Sequence, residues 1–480
     1  MMAGQMTGQS FFDESLSPDG GSRAIYEKVL AWVRDSDPQV METRRAQAEL
    51  MFRRIGITFA VYGDEGGGER LIPFDIIPRL IAQEEWRKLE AGLIQRVETL
   101  NAFVRDIYGA RDCLRAGIVP EELIFQNSQF RPEMAGHRFP HEIAIQIAGI
   151  DLVRTGADQF YVLEDNARTP SGVSYMLENR EVMMRIAPDI FAAHRVMPVE
   201  NYTDALLNTL KSVAPAGSRG DPVAVLLTPG QYNSAYYEHS FLADRMGIEL
   251  VEGSDLFVSD DFVYMRTTFG PQRVDVIYRR VDDDYIDPLM FNPQSQLGVA
   301  GLMSAYRAGN VTLVNAVGTG IADDKAIYSY IPDLIRFYSG KDALLPNVET
   351  WRCREADAFK YVRENLAQLV VKEVNGSGGY GMLVGPHATQ DEIELFARKL
   401  DSDPSNYIAQ PTLALSTCPV FAGAGVAARH VDLRPFVLTG ADGVRVIPGG
   451  LTRVAMKAGS LVVNSSQGGG TKDTWVVEDV

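Results

Sequence analysis

The chain has 480 residues, and because single hydrophobic cores stop growing at roughly 250 to 300 residues, two or three lobes are expected. Its 46% hydrophobic and 23% charged residues are those of an ordinary globular protein, and a net charge of −17 argues against a nucleic-acid or anionic-membrane surface while leaving room for a local basic groove. Cys113, Cys353 and Cys418 lie far apart without C-x-x-C spacing, which suggests a reducing compartment and no cysteine metal site.

The first 22 residues are polar and glycine-rich, with no basic n-region and no apolar h-region, so a mobile segment at 1–22 is expected. No apolar run reaches the ~18 residues of a membrane span, and a cytoplasmic location is expected. From Arg23 to about Ile55 apolar residues recur at helical spacing (Ile25, Val29, Leu30, Val33), followed by a second helical stretch around Leu50. ITFAVYGD at 57–64 reads as a strand. Pro73 to Pro78 reads as an irregular entry to a long amphipathic helix or helix pair whose apolar face carries Trp86, Leu89, Leu93, Val97 and Leu100.

In 143–168, IAIQIAGIDLVRTGADQFYVLEDNAR, two apolar segments flank Thr155-Gly156-Ala157-Asp158, the pattern of an antiparallel hairpin. Glu164 and Asn166, two apart on the second strand, share a face with their side-chain roots ~7 Å apart. With Asp151 on the partner strand they form a set of hard oxygen donors suited to Mg²⁺. A polar strand end capped by Asx turns explains the same residues.

From about 201 the character changes. PVAVLLT (222–228), GIELV (247–251), VDVIYRRV (274–281) and VTLVN (311–315) read as strands, with helices at 232–246 and 297–308, which predicts a mostly parallel Rossmann-like lobe. The acidic triplet Asp282 to Asp284 reads as a surface turn. Arg279 and Arg280 either pair with it or face a ligand's carboxylate. At 318–325, GTGIADDK leads into an amphipathic helix, and Asp323 and Asp324 suit its start as capping carboxylates.

Residues 369–385, LVVKEVNGSGGYGMLVG, read as strand, glycine turn, strand. Gly376, Gly378, Gly379 and Gly381 clear side chains from a turn whose backbone N–H groups can approach an anion, and Lys372 adds a point charge. An ordinary glycine-rich hairpin remains the alternative. The dinucleotide fingerprint is excluded because no helix starts at the third glycine, and a Walker A loop because Gly-Lys-Ser/Thr is missing. YIAQP (407–411) reads as a hinge edge offering backbone groups at Ala409 and Gln410 to an adenine. HVDLRPFVL and VRVIPGGLTRVAM read as consecutive strands that place Arg434 and Arg453 in one sheet. NSSQGGGTKDTWV (464–476), with Asn464, Gln467 and Lys472, reads as a mobile tail or an active-site cover.

A lysine strand before a glycine lid, a hinge strand and an E-x-N strand together resemble the ATP-grasp superfamily. Here the E-x-N strand precedes the lid, as in its circularly permuted branch, which includes eukaryotic glutathione synthetase. EDNARTPSGVSYMLENR, LTPGQYNSAYYEHSFLA, VNAVGTGIADDK and HVDLRPF resemble blocks of the bacterial circularly permuted ATP-grasp type 2 proteins, many labelled glutathionylspermidine synthase-like. The resemblance implies an α/β (α+β mixed) circularly permuted ATP-grasp fold with an inserted Rossmann-like lobe. Its divisions would be 23–200 (helices and metal-binding part), 201–317 (inserted lobe) and 318–480 (lid, hinge and C-terminal sheet).

It implies that Asp151, Glu164 and Asn166 hold Mg²⁺, and that Lys325, Lys372 and the glycines of the lid contact ATP. Ala409 and Gln410 would meet the adenine, and Arg453 the transferred phosphoryl, with Lys372 assisting. Arg279, Arg280, Arg434, Asn464, Gln467 and Lys472 are candidate substrate contacts. Spermidine-ligating relatives carry an arginine where this chain has Gly149, and glutathione synthetase carries a lid glutamate near the place of Gly376. The implied activity is ATP-dependent ligation of a carboxylate to an amine, with a small-molecule or peptide acid and an amine as partners, and no nucleic acid or membrane. An ATP-binding scaffold and an ATP-dependent phosphotransferase are the alternatives.

Overall fold

In the computed structural model the described residues are 11–56, 58–60, 69–374, 381–423, 425–457, 460, 463 and 468–478. A nine-stranded sheet assembles pieces from distant parts of the chain. Its strands run in the order Gly443–Val446, Phe436–Gly440, Ile147–Gly156, Val426–Arg434, Leu451–Val454, Gly470–Val477 and Phe74–Ala82. Gln159–Asn166 pairs with 147–156 as the expected hairpin, and Thr417–Phe421 pairs with 426–434. Arg434 and Arg453 do share this sheet.

Two stretches depart from expectation. Pro73 to Pro78 leads not into a helix but into the edge strand 74–82. Pro78 is tolerated there because the register with 470–477 is irregular between Lys472 and Thr474, so no ladder bond is demanded of a residue without an N–H. The helix begins later, at Gln83, and runs to Tyr108 with Trp86, Leu89, Leu93, Val97 and Leu100 buried as predicted. The second departure is 470–477, which is a strand buried along its whole length rather than a loop. Each of its polar residues finds a partner: Thr471 with Asn179, Lys472 with Asp75, Asp473 with Arg180 and Thr474 with Thr452.

Residues 11–22 are anchored, contrary to the expected mobility. The Glu14 carboxylate is fully buried, pairs with Arg79 at 2.6 Å and accepts from the Ser416 hydroxyl at 2.6 Å, with Arg154 at 3.7 Å. Burial alone would raise its pKa, but the two guanidinium groups outweigh burial and hold it at about 2.

The inserted lobe carries four parallel strands, in the order Thr312–Val314, Val276–Arg279, Ala224–Leu227 and Glu249–Val251, as the alternating pattern predicts. A three-stranded antiparallel meander (256–259, 262–267, 270–274) was not expected. Its first turn holds Asp260 and Asp261 at φ 51° and 59°, the left-handed geometry of a two-residue hairpin. The apolar core runs on from the large sheet (Ile150, Leu152) through the long helix (Leu93, Val97) into this lobe (Ile277, Leu313). A smaller sheet, in the order Trp351–Arg352, Tyr407–Pro411, Leu369–Glu373 and Met382–Val384, has its own core of Val371, Leu383, Leu400 and Ala409.

Candidate functional site

Strand alternation decides which way the E-D-N run faces. Asp165 points into the core, where Arg96 grips it with both oxygens engaged at 2.5 and 2.7 Å, so Glu164 and Asn166 turn to the opposite, half-exposed face. Glu164 lies across from Asp151 and Asn166 across from Gly149. Asn166 donates its amide nitrogen to the Gly149 carbonyl at 3.2 Å, which leaves its side-chain oxygen as the group that a cation would meet.

Beside them runs an alternating chain of charge. Asp151 accepts from Arg434 at 2.5 and 2.8 Å and from Arg453 at 2.6 Å, and Arg453 also binds Asp432 at 2.9 Å. Burial would raise the Asp151 pKa, but Arg434 and Arg453 bring it down to about 2. Burial raises that of Asp432, against the pull of Arg453. Asp432 is a site residue that the sequence reading passed over. Its signal was the D-x-R spacing in HVDLRPF, which sets Asp432 and Arg434 on one face of a strand.

The residues expected to meet the nucleotide lie on the smaller sheet. Lys372 donates to the Gln410 side chain at 2.8 Å, and Gln410 donates to Thr350 at 3.1 Å. Burial lowers the Lys372 pKa to about 8, while Glu164 and Asp151 act to raise it and Lys325 to lower it. Lys372 therefore feels the carboxylates of the E-x-N hairpin, although the two lie far apart in sequence. In the 407–411 strand, Ile408 and Ala409 are paired on both sides, by Trp351–Arg352 and by 369–373, whereas Gln410 and Pro411 are paired only with Val370 and Leu369. Ala409 and Gln410 are both buried in it. Gly381 takes φ +70°, and a Cβ there would lie 2.6 Å from the Glu373 carboxyl carbon. Gly376, Gly378 and Gly379 lie outside the described residues, as do Asn464 and Gln467.

Asp324 caps the helix Lys325–Tyr328 as predicted. Asp323 does not. It accepts from the backbone amides of Ala167 at 2.5 Å and Arg168 at 3.1 Å, at the end of the E-x-N strand. Burial raises its pKa to about 7, with Glu164 adding to the rise and Arg168 and the amides opposing it. The signal was a second aspartate where one cap suffices.

Three candidate substrate contacts are enclosed by protein. Arg279 donates to the carbonyls of Asn315, Val281 and Ala316 and pairs with Asp283 at 2.7 Å. Asp283 is thereby buried rather than part of a surface turn. Arg280 donates to the Pro170 carbonyl at 2.7 Å and to Tyr278. Lys472 sits opposite Thr452, whereas Arg453 sits opposite Thr471; neighbours along a strand face opposite ways, so Lys472 lies on the far side of the sheet from the arginine chain. There it binds Asp75 at 2.8 Å and the Pro419 carbonyl at 2.6 Å.

Among the described residues no group of three His, Cys, Asp or Glu is placed to hold a metal ion. The Glu164 carboxylate and the Asn166 oxygen nevertheless suit Mg²⁺, which takes one or two protein oxygens and fills its shell with water and phosphate. Among the same residues no helix is long and apolar enough to cross a membrane.

Comparison with known proteins agrees with this architecture. The chain is 50% identical over 469 residues to an uncharacterized protein of Synechocystis sp., covering 98% of this chain and 97% of that one. It is 48% identical over 466 residues to an uncharacterized protein of Mycobacterium tuberculosis, covering 97% and 84%. A Frankia alni protein provisionally named a glutamate–cysteine ligase is 40% identical over 467 residues, but the match covers only 54% of it. Among solved structures, a glutathione synthetase-like effector from Globodera pallida superposes with a TM-score of 0.59 at 11% identity, covering 92% of this chain and 98% of that one, a likeness of fold. The family model for circularly permuted ATP-grasp type 2 proteins matches residues 78–455. The chain belongs to the circularly permuted ATP-grasp type 2 family, which at the level of the family is one of ATP-dependent ligases.

Proposed function

We propose that the protein is an ATP-dependent carboxylate–amine ligase that works through an acyl phosphate. The γ-phosphoryl of ATP passes to a carboxylate oxygen and ADP leaves. The amine then attacks the acyl carbon, inorganic phosphate departs, and the amine's proton is released as the amide forms. Bound Mg²⁺ would neutralise charge building on the transferring phosphoryl. Glu164 and Asn166 would hold it, with Asp151 alongside. Lys372 and Lys325 would bind phosphate oxygens. Arg453, steadied by Asp432, would meet the phosphoryl in flight, and Arg434 the incoming carboxylate. No enzyme nucleophile is needed.

One observation supports this reading: Lys372, on the strand 369–373, is near enough to Glu164 and Asp151 for both carboxylates to favour its charged form, as a phosphate-binding lysine beside a cation-binding hairpin would be. The test is to supply MgATP, hydroxylamine and a pool of carboxylates, and to look for hydroxamates by mass spectrometry. The name of the Frankia relative makes glutamate, cysteine and γ-glutamyl peptides sensible members of the pool. ADP with a hydroxamate or amide supports ligation. ADP with a stable phosphoester would replace ligation by phosphotransfer, and binding without turnover would replace it by a scaffold.

A further inference from the structure

Three consecutive residues fasten separate segments of the chain to one another. Asp323 accepts from the amides of Ala167 and Arg168, the two residues that follow Asn166. Asp324 accepts from the amides of Ala326 and Ile327 at 2.8 and 3.0 Å and from the Asn127 side chain at 2.7 Å. The backbone amide of Lys325 donates to the carbonyl of Val374 at 3.3 Å, next to the strand that carries Lys372. Ala326 and Val374 also pack together with Ile408 of the inner strand 407–411 of the smaller sheet. A short, hydrogen-bonded peptide therefore spans from the end of the E-x-N strand to Val374, just past the strand 369–373.

We propose that Asp323 is a positioning residue that couples the two sides of this cleft, so that nucleotide held by the lysine strand sets the E-x-N strand for the cation, and the cation in turn tightens nucleotide. The proposal rests on the ATP-site reading above. The coupling follows from geometry. A carboxylate that fixes the two amides after Asn166 fixes the direction in which the chain leaves that residue, hence where the Asn166 oxygen sits. A shift of Val374 on nucleotide binding is carried to the same carboxylate through only two intervening residues. Supporting groups of this kind, one step removed from a ligand, typically alter metal affinity by about 10- to 100-fold when removed.

The test measures affinity for a fluorescent ATP analogue with and without Mg²⁺ in wild type, Asp323→Ala and Asp323→Asn. Wild type gains affinity with Mg²⁺. Asp323→Ala is expected to keep its metal-free affinity and to lose that gain by about 10-fold or more. Asp323→Asn retains an oxygen that can accept from both amides and is expected to keep the gain. The proposal is overturned if Asp323→Ala keeps the gain, if Asp323→Asn loses it as fully as Ala, or if metal-free binding falls just as far. Should Asp323→Ala not fold, hydrogen exchange on wild type decides: metal-free nucleotide must slow exchange at the amides of Ala167 and Arg168, and unchanged rates overturn the coupling. Wild type that binds no nucleotide overturns the ATP-site reading itself, whereas a normal wild-type gain that survives in Asp323→Ala overturns only the coupling.

Discussion

Lys372 holds its proton weakly, because the ammonium is removed from water and only partly compensated by Glu164 and Asp151. With a pKa of about 8 in the free protein, its charged form is lost as pH rises through that value. Phosphate binding needs the charged form, so nucleotide affinity should fall between pH 7 and 9 and binding should take up a proton at the upper end. Calorimetry in buffers of different ionisation enthalpy checks this, and Lys372→Arg, charged throughout, should flatten the profile. Lys372→Ala should weaken MgATP binding by about 10- to 100-fold, the worth of a charged hydrogen bond. Glu164→Gln keeps one neutral oxygen donor but loses a negative charge, and should lower turnover more than nucleotide affinity. Equal activity at saturating Mg²⁺ would remove Glu164 from the cation site.

At the scale of single elements, the segment around Glu14 behaves as an inserted plug. Glu14→Ala leaves Arg79 buried without its carboxylate, while Arg154 keeps Glu85 at 2.5 Å, and should destabilise the fold by about 3 to 5 kcal/mol in denaturant titration. The sign of the pH effect follows from the depressed value. The folded pKa of about 2 lies below the ordinary 4.5, so the stabilisation is present above pH 4.5 and is lost as pH falls toward 2. The acid limb of the wild-type stability curve should shrink in Glu14→Gln.

The same element shows why some of the chain was legible in the sequence and some was not. The long helix, the 147–166 hairpin and the parallel strands announce themselves through local period, and alternation placed Glu164 and Asn166 on one face. The segment at 11–22 and the strand 470–477 are polar because their partners are buried charges elsewhere: Arg79 for Glu14, Asp75 for Lys472 and Arg180 for Asp473. A polar run solvated by protein reads, in sequence, like one solvated by water. Asp323 was misassigned for a related reason: its amide partners at 167 and 168 lie far away in the chain.

Across the whole molecule, strands from the two ends of the family region are knitted into one sheet, and the 323–326 peptide links the end of the E-x-N strand to the smaller sheet. Ligand that bridges both should stabilise the assembled state by mass action. MgATP at about 100 times its dissociation constant would add about 2.7 kcal/mol, visible as a raised thermal midpoint that Lys372→Ala lacks at the same concentration.

The packing around Gly149 bears on how such chains are sorted by motif. A Cβ at that glycine would lie 3.3 Å from Cδ of Arg434 and 3.4 Å from Pro170, so the stem of Arg434 already fills the space that an arginine at 149 would need. Its guanidinium lands on Asp151 from the next strand over. In this chain, positive charge therefore reaches Asp151 from position 434 rather than from position 149, and the letter at 149 alone is a poor guide to the charge around that carboxylate. Grafting an arginine onto 149 would then require vacating 434, which makes the two positions a single packing decision.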